Sequence, residues 1–254
     1  MMKGRITGLC TLLFPSFILR PVLKLLGHSV GSNIKIGFSF INVEKLILKD
    51  NVSIGHFNLV LNEDLELEKN SKIGYLNILK GPFKIYLKER AALGNKNYLT
   101  RAKKGITYGD SILQLGILTK ITTGHHLDMT RNISIGDFSI LAGIRSQLWT
   151  HGYYHSSVGA DRIRIDGEIH IGDNVYVGSG CIFNPGVKIA NAIHIGGGCT
   201  ISKNLENPGM YVNQGLRHIE NDIEIVKNKL TKVEGFELME KVYKKQVRTN
   251  EQQL

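Results

Sequence analysis

His151 closes the triplet Trp149-Thr150-His151 at a point where a regular stretch of the chain gives way to a polar one. After Arg145/Gln147 the next clear apolar doublet is Ile169/Ile171, so the loop GYYHSSVGADRIRIDG intervenes. Long loops in otherwise regular repeats usually carry function. A histidine at the root of one is fixed by scaffold on one side and covered on the other, which suits a general base. His125, His126, His155 and His170 supply enough further imidazole nitrogen for a second chemistry, a three-histidine zinc site. Three cysteines do not make a disulfide framework. Cys181 and Cys199 read instead as reduced, inward-facing apolar fillers of neighbouring rungs.

The scaffold that must hold these residues is a six-residue repeat. Between Ile169 and Ser202 the doublets Ile169/Ile171, Val175/Val177, Cys181/Phe183, Val187/Ile189, Ile193/Ile195 and Cys199/Ile201 are all apolar. A small or turn-forming residue follows each one: Gly172, Gly178, Asn184, Ala190, Gly196 and Ser202. Apolar pairs at spacing two make short strands with one buried face. Glycine and asparagine supply the corners between them. At 42% hydrophobic residues, filling every slot by chance has a probability on the order of 10⁻⁵. Strand and corner at a fixed period predict an all-β parallel β-helix, three hexapeptides to a coil.

The same signature returns upstream at Ile34/Ile36-Gly37, Val52/Ile54-Gly55, Ser71/Ile73-Gly74, Leu113/Leu115-Gly116 and Ile133/Ile135-Gly136. About seven coils are expected, roughly 33 Å tall at the strand spacing of a sheet. Residues 29–218 form this domain, with insertions near 89–111 and 152–168; ERAALGNKNYLTRAKKG reads as too polar for a coil. Residues 1–28 form an apolar helical cap kinked by Pro15 and Pro21. Residues 219–254 form a helical tail, with Ile219, Ile223, Val226, Leu230 and Val233 at alternating spacings of four and three.

A net charge of +10 predicts a surface that attracts anions. The cations are scattered without interleaved aromatics, so no nucleic-acid partner is expected. Phosphate-bearing small molecules or an anionic membrane suit the charge equally. The apolar run from Cys10 to Leu19 is too short for a span and is broken by Pro15. A basic start at Lys3 and Arg5 is compatible with a signal peptide, but no small-residue cleavage site follows. The expectation is a cytoplasmic protein in which residues 5–26 cap the solenoid, the favoured reading, with the alternative that they rest on the inner face of a membrane.

The stretch IGDNVYVGSGCIFNPGVKIANAIHIGGGCTISKN, followed by NQGLR, resembles the hexapeptide-repeat acyltransferases. It is most similar to their maltose/galactoside O-acetyltransferase branch and to the acetyltransferases of surface-polysaccharide clusters. The resemblance covers residues 127–217 closely and residues 30–88 only as a repeat. It implies a left-handed β-helix. Its LD…IGD…TH pattern falls on Leu127-Asp128, Ile135-Gly136-Asp137 and Thr150-His151, making His151 the catalytic base. It also implies acetyl-coenzyme A as acyl donor, no metal, and a groove between the subunits of a homotrimer. The coenzyme positions carried over are Tyr176, Ser179, Gly197, Ser202, Lys203 and Arg217. His125, His126, Asp128, Trp149 and His155 are the residues expected to meet a sugar or glycan acceptor.

Two departures stand out. An asparagine that the family carries one coil below the histidine is replaced by the rung Ile121-Thr122-Thr123-Gly124-His125-His126. The family's Gly-Asn-Pro-Ala close is reduced to Asn213-Gln214-Gly215-Leu216. The leading reading is transfer of an acetyl group to a sugar hydroxyl, in assembly of a surface polysaccharide or lipid-linked glycan. An N-acetyltransferase of an amino sugar, a γ-carbonic-anhydrase-like zinc enzyme and a non-catalytic trimeric scaffold remain as alternatives.

Overall fold

The computed structural model describes residues 2–155, 157, 162–213, 217–219, 225, 228, 230–232 and 243–245. Short strands alternate with corners and wind into a triangular parallel β-helix, with one sheet on each face. Faces A and C hold eight strands each, from Ser29–Val30 to Lys188–Ile189 and from Phe40–Ile41 to Thr200–Ile201. Face B begins at Lys35–Ile36, runs to Ile193–Ile195, and adds Gly209–Val212 and an antiparallel Arg217–Ile219. There are thus eight complete coils and the start of a ninth, not about seven, and the stack is ~38 Å tall.

Alternation explains the strands. Along Lys45–Leu48, Asp64–Leu67 and Lys84–Leu87 every second residue is buried, and the intervening ones are Lys, Asp, Glu, Ile or Tyr. The inward residues stack in register, Ile36 on Ile54 on Ile73 on Leu93 on Ile121, giving a columnar core. Cys181 and Cys199 belong to it; both are fully buried, and burial raises both thiol pKa values. The corner glycines answer to the next coil. A Cβ on Gly37 would lie 2.8 Å from the Gly55 carbonyl carbon, and one on Gly55 would lie 2.5 Å from Gly74 O. The left-handed turn itself is often taken by asparagine, as at Asn33, Asn51, Asn70 and Asn174.

The expected polar break at 89–111 is largely absent. Ala92–Asn95 and Tyr98–Thr100 are regular strands, with Ala91, Leu93 and Leu99 buried. Only residues 101–111 leave the coil. Polarity misled because the asparagines point inward at the B–C corner. Asn77 accepts from the Asn97 amide with its Oδ1 (2.9 Å) and donates its own amide to Asn58 Oδ1 (2.9 Å). The His125 amide continues the ladder onto Asn97 Oδ1 at 3.0 Å. Every rung is a satisfied buried hydrogen bond, so polar side chains fit a dry corner.

At the base the helical segment is two helices, α1 (Met2–Leu13) and α2 (Ser16–Leu25), separated at Pro15. Pro21 lies within α2. Leu19 and Leu23 of α2 close the end of the core column. His28 ties α1 down: its Nε2 lies 2.8 Å from Thr7 Oγ1, and its Nδ1 accepts from the Leu46 amide at 3.3 Å. The helical tail expected over 219–254 is interrupted by short strands among its described residues. Arg217–Ile219 pairs with Gly209–Val212, and Leu230–Lys232 pairs antiparallel with Tyr243–Lys245. Thr231 and Tyr243 are residues that favour strands. Ile225 and Asn228, the other described residues of the segment, are helical, and its remaining positions lie outside the described residues.

Candidate active site

Face C carries the strand His126–Asp128, and the next coil places Leu148 over Leu127. That register brings the C–A corner residues Thr150 and His151 onto Asp128. The carboxylate is buried, with 5% of the residue exposed. Its Oδ2 accepts from the Thr150 amide at 2.9 Å and lies 2.7 Å from His151 Nδ1. Its Oδ1 accepts from the Thr130 hydroxyl at 2.8 Å and the Thr130 amide at 3.2 Å. An ionised carboxylate only accepts, so Nδ1 carries the proton toward it. In the neutral ring the lone pair is then on Nε2. The His151 side chain is 30% exposed, enough for that edge to meet a substrate.

The expected loop of residues 152–168 is a hairpin, His151–His155 against Arg162–Asp166. It meets the 101–111 insertion, since Arg164 Nη1 donates to Ile106 O at 2.8 Å. Arg131 adds a second clamp: it lies over the Tyr108 ring, donates to Tyr108 O at 3.2 Å and pairs with Glu168 at 3.3 Å. Arg101 holds the root of the same insertion through Gly109 O at 2.6 Å. The two insertions therefore build one wall beside His151. Rings line the approach in sequence: Tyr98, His126, Trp149, His151 and Tyr153, with successive centroids 4.9–6.5 Å apart.

The acceptor-side expectations need two corrections. Asp128 is enclosed by Thr130, Thr150 and His151, so it orients the His151 ring and does not face an acceptor. His125 is 1% exposed, with Nε2 at 3.0 Å from Thr122 Oγ1 and Nδ1 accepting the Ser146 amide at 3.2 Å. Burial lowers its pKa to about 4, and both nitrogens are engaged, so it serves neither acceptor nor zinc. His126 and Trp149 are half-buried in the ring series, and His155 is exposed beside Tyr153.

The coenzyme positions divide between edges. Ser179 and Gly197 stack at the B–C corner, where Gly198 N–H donates to Ser179 O at 2.8 Å. Gly143 extends this small-residue track by one coil, its amide neighbour Ile144 reaching Ser179 Oγ at 3.3 Å. Tyr176 projects from face B and stacks on His194 at 4.3 Å. Ser202 and Lys203 are exposed just after the last face-C strand, at the C–A edge, while Arg217 opens the antiparallel strand on face B. Within one chain His151 and this small-residue track thus flank face C from opposite edges. Clefts of about 650 and 740 Å³ lie lower on the prism, and neither includes His151 in its lining.

No family model matches the sequence, and no curated protein matches it. Solved structures do resemble it. The polysialic acid O-acetyltransferase OatWY is 17% identical over 76% of this chain and 88% of its own, with a TM-score of 0.48. The polySia-specific acetyltransferase NeuO is 20% identical over 81% and 93%, with a TM-score of 0.40. A maltose O-acetyltransferase from Clostridium difficile 630 is 17% identical over 87% and 82%, with a TM-score of 0.34. No residue's role follows from likenesses this distant.

Sequence reasoning missed Thr130, Arg131 and Gly143. Thr130 and Arg131 had a signal, since they directly follow the Leu127-Asp128 pair. Gly143 had one in its position one coil before Ser179.

Proposed function

We propose that this chain is a hexapeptide-repeat acyltransferase that moves an acetyl group from acetyl-coenzyme A to a sugar hydroxyl. The observation that carries the reading is the buried Asp128 carboxylate 2.7 Å from His151 Nδ1, which leaves Nε2 as the basic edge. His151 Nε2 takes the proton from the acceptor hydroxyl as its oxygen bonds to the thioester carbonyl carbon. The C–S bond breaks and the proton passes from His151 to the departing thiolate. A base acting in this transition state contributes about 10²–10⁴-fold in rate. The coenzyme arm lies along Gly143, Ser179 and Gly197, with Tyr176, Ser202, Lys203 and Arg217 contributing at its phosphate and adenine end. The acceptor meets the Trp149, His126 and Tyr153 rings and, at the hairpin, His155.

The working unit is a homotrimer, acting in assembly of a surface polysaccharide or lipid-linked glycan on the cytoplasmic side of a membrane. Two features support the trimer. Base and track lie on opposite edges of face C, so a neighbour's track must complete each site. Face C also carries the outward apolar column Leu59, Ile78 and Tyr98, each 36–41% exposed, whereas the equivalent column of face B is Lys35, Ser53, Lys72, Ala92 and Lys120.

Co-assembly of His151→Ala and Gly197→Leu subunits tests chemistry and assembly together. Each variant alone should be inactive in acetyl transfer to a glycan. Random trimers of the two should regain roughly a quarter of wild-type sites, those pairing an intact base with an intact track. No recovery would mean that each chain holds its own site. Wild-type protein that fails to consume acetyl-coenzyme A with any glycan acceptor would remove the enzymatic reading.

A further inference from the structure

Helix α1 is turned inside out. The face it buries against the first coil is Gly4, Thr7, Gly8 and Thr11, while Met2, Ile6, Leu9 and Leu13 point away, 40–78% exposed. At 3.6 residues per turn these four fall within an arc of about 60°, opposite the buried face. Lys3 and Arg5 stand on its two shoulders, both exposed. A helix serving only to cap a soluble prism would put the apolar arc inward. Here the inward arc is small for another reason: a Cβ on Gly8 would lie 2.7 Å from the Phe40 ring. The adjoining stretch extends the apolar surface with exposed Phe14, Phe17, Ile18 and Leu25, and Arg20 and Lys24 of α2 are exposed as well.

We propose that α1 and the start of α2 form an in-plane docking surface for an anionic lipid bilayer. Charge selects this occupant over a second copy of the chain. Residues 1–43 contain five cations, Lys3, Arg5, Arg20, Lys24 and Lys35, and no Asp or Glu. Two such surfaces would repel one another. A bilayer surface rich in acidic headgroups supplies both the apolar phase and the opposite charge. Among the described residues no helix is long and apolar enough to cross a membrane, so the helices lie in the interface with their cations at headgroup level. This inference deepens the membrane placement proposed above and is independent of acyl transfer.

The test is co-sedimentation of the full chain, in wild-type and His151→Ala forms, with vesicles of phosphatidylcholine alone or with phosphatidylglycerol added. Both forms should bind the phosphatidylglycerol vesicles and release in high salt. Phe17→Glu combined with Leu13→Glu should lower partitioning at least tenfold, as should Arg5→Glu with Arg20→Glu. Phe57→Glu, at an exposed apolar corner elsewhere, should leave it unchanged. Circular dichroism and light scattering on each variant separate lost docking from lost fold or assembly. Absence of binding to acidic vesicles overturns the proposal. So does a Leu13/Phe17 variant that binds vesicles normally but changes oligomeric state, because the face would then belong to a second copy. Loss of transfer in the His151→Ala form with vesicle binding intact leaves docking standing on its own.

Discussion

Asp128 and His151 are joined at 2.7 Å across two successive coils, with the carboxylate on the inside of the corner and the ring at its rim. The pair makes the orientation of the imidazole a property of coil stacking. Replacing His151 with Ala should leave the fold intact and reduce kcat/KM by at least ~10²-fold, as expected for a lost general base. Asp128→Asn should keep the contact but allow the amide to donate, favouring the wrong tautomer. Turnover should then fall while coenzyme affinity stays near wild type. A Asp128→Asn variant with unaltered kcat would separate Asp128 from the chemistry.

The small-residue track should respond to bulk. Gly197→Leu should block coenzyme binding without disturbing Ile195 and Ile201, which are buried on the inner side. Lys203 is exposed, so Lys203→Ala should weaken binding by about 1 kcal/mol or less, and the difference should shrink in salt. Calorimetry with coenzyme A reads both effects.

Face C should govern assembly. Glu at Leu59 and Ile78 together should yield monomers by light scattering, with the coil's circular dichroism retained. Activity should disappear with the trimer, although His151 and the track are untouched.

Acid should loosen the stack through two buried imidazoles. His28 and His125 both titrate near pH 4, pushed down mainly by burial, against 6.5 for an exposed ring. Each uses Nδ1 to accept a backbone amide, which a proton there would displace. Between those pH values the unfolded chain binds more protons than the folded one, so their contribution is intact above about pH 6.5 and declines toward pH 4. The thermal midpoint should fall over that window. His125→Asn, which repeats the residue used on the rungs below, should flatten the slope; an unchanged slope would contradict this assignment.

The asparagine ladder should be expensive to interrupt. Asn77→Ala removes partners from the buried Asn97 amide and the part-buried Gly94 O. The expected loss is on the order of 2–4 kcal/mol in denaturant unfolding.

The period of the coils was legible because inward strand positions admit only apolar residues, as Ile169/Ile171 through Cys199/Ile201 illustrate. The coil at 89–100 escaped notice because corners obey a different rule. Asn97 is buried yet polar, paired above and below, and hydropathy counts it against a core. His151 was legible from the delayed repeat, which marks a chain leaving its scaffold. The contact of Asp128 with His151 was not, since the carboxylate is enclosed only when Thr150 arrives from the next coil. The clamps by Arg131 and Arg164 were illegible for the same reason: each joins segments that only the winding brings together.

The hairpin that begins at His151 is sewn shut at its neck, where the Gly167 amide donates to Thr150 O at 2.9 Å before the chain resumes the coil at Ile169. Everything distal to that stitch is carried by the prism without being woven into it. Such an appendage can be lengthened, shortened or exchanged between related chains while the column beneath keeps its register. On the proposed function, recognition of new acceptors would then evolve by swapping a tethered flap, with Asp128 and His151 inherited unchanged at its hinge.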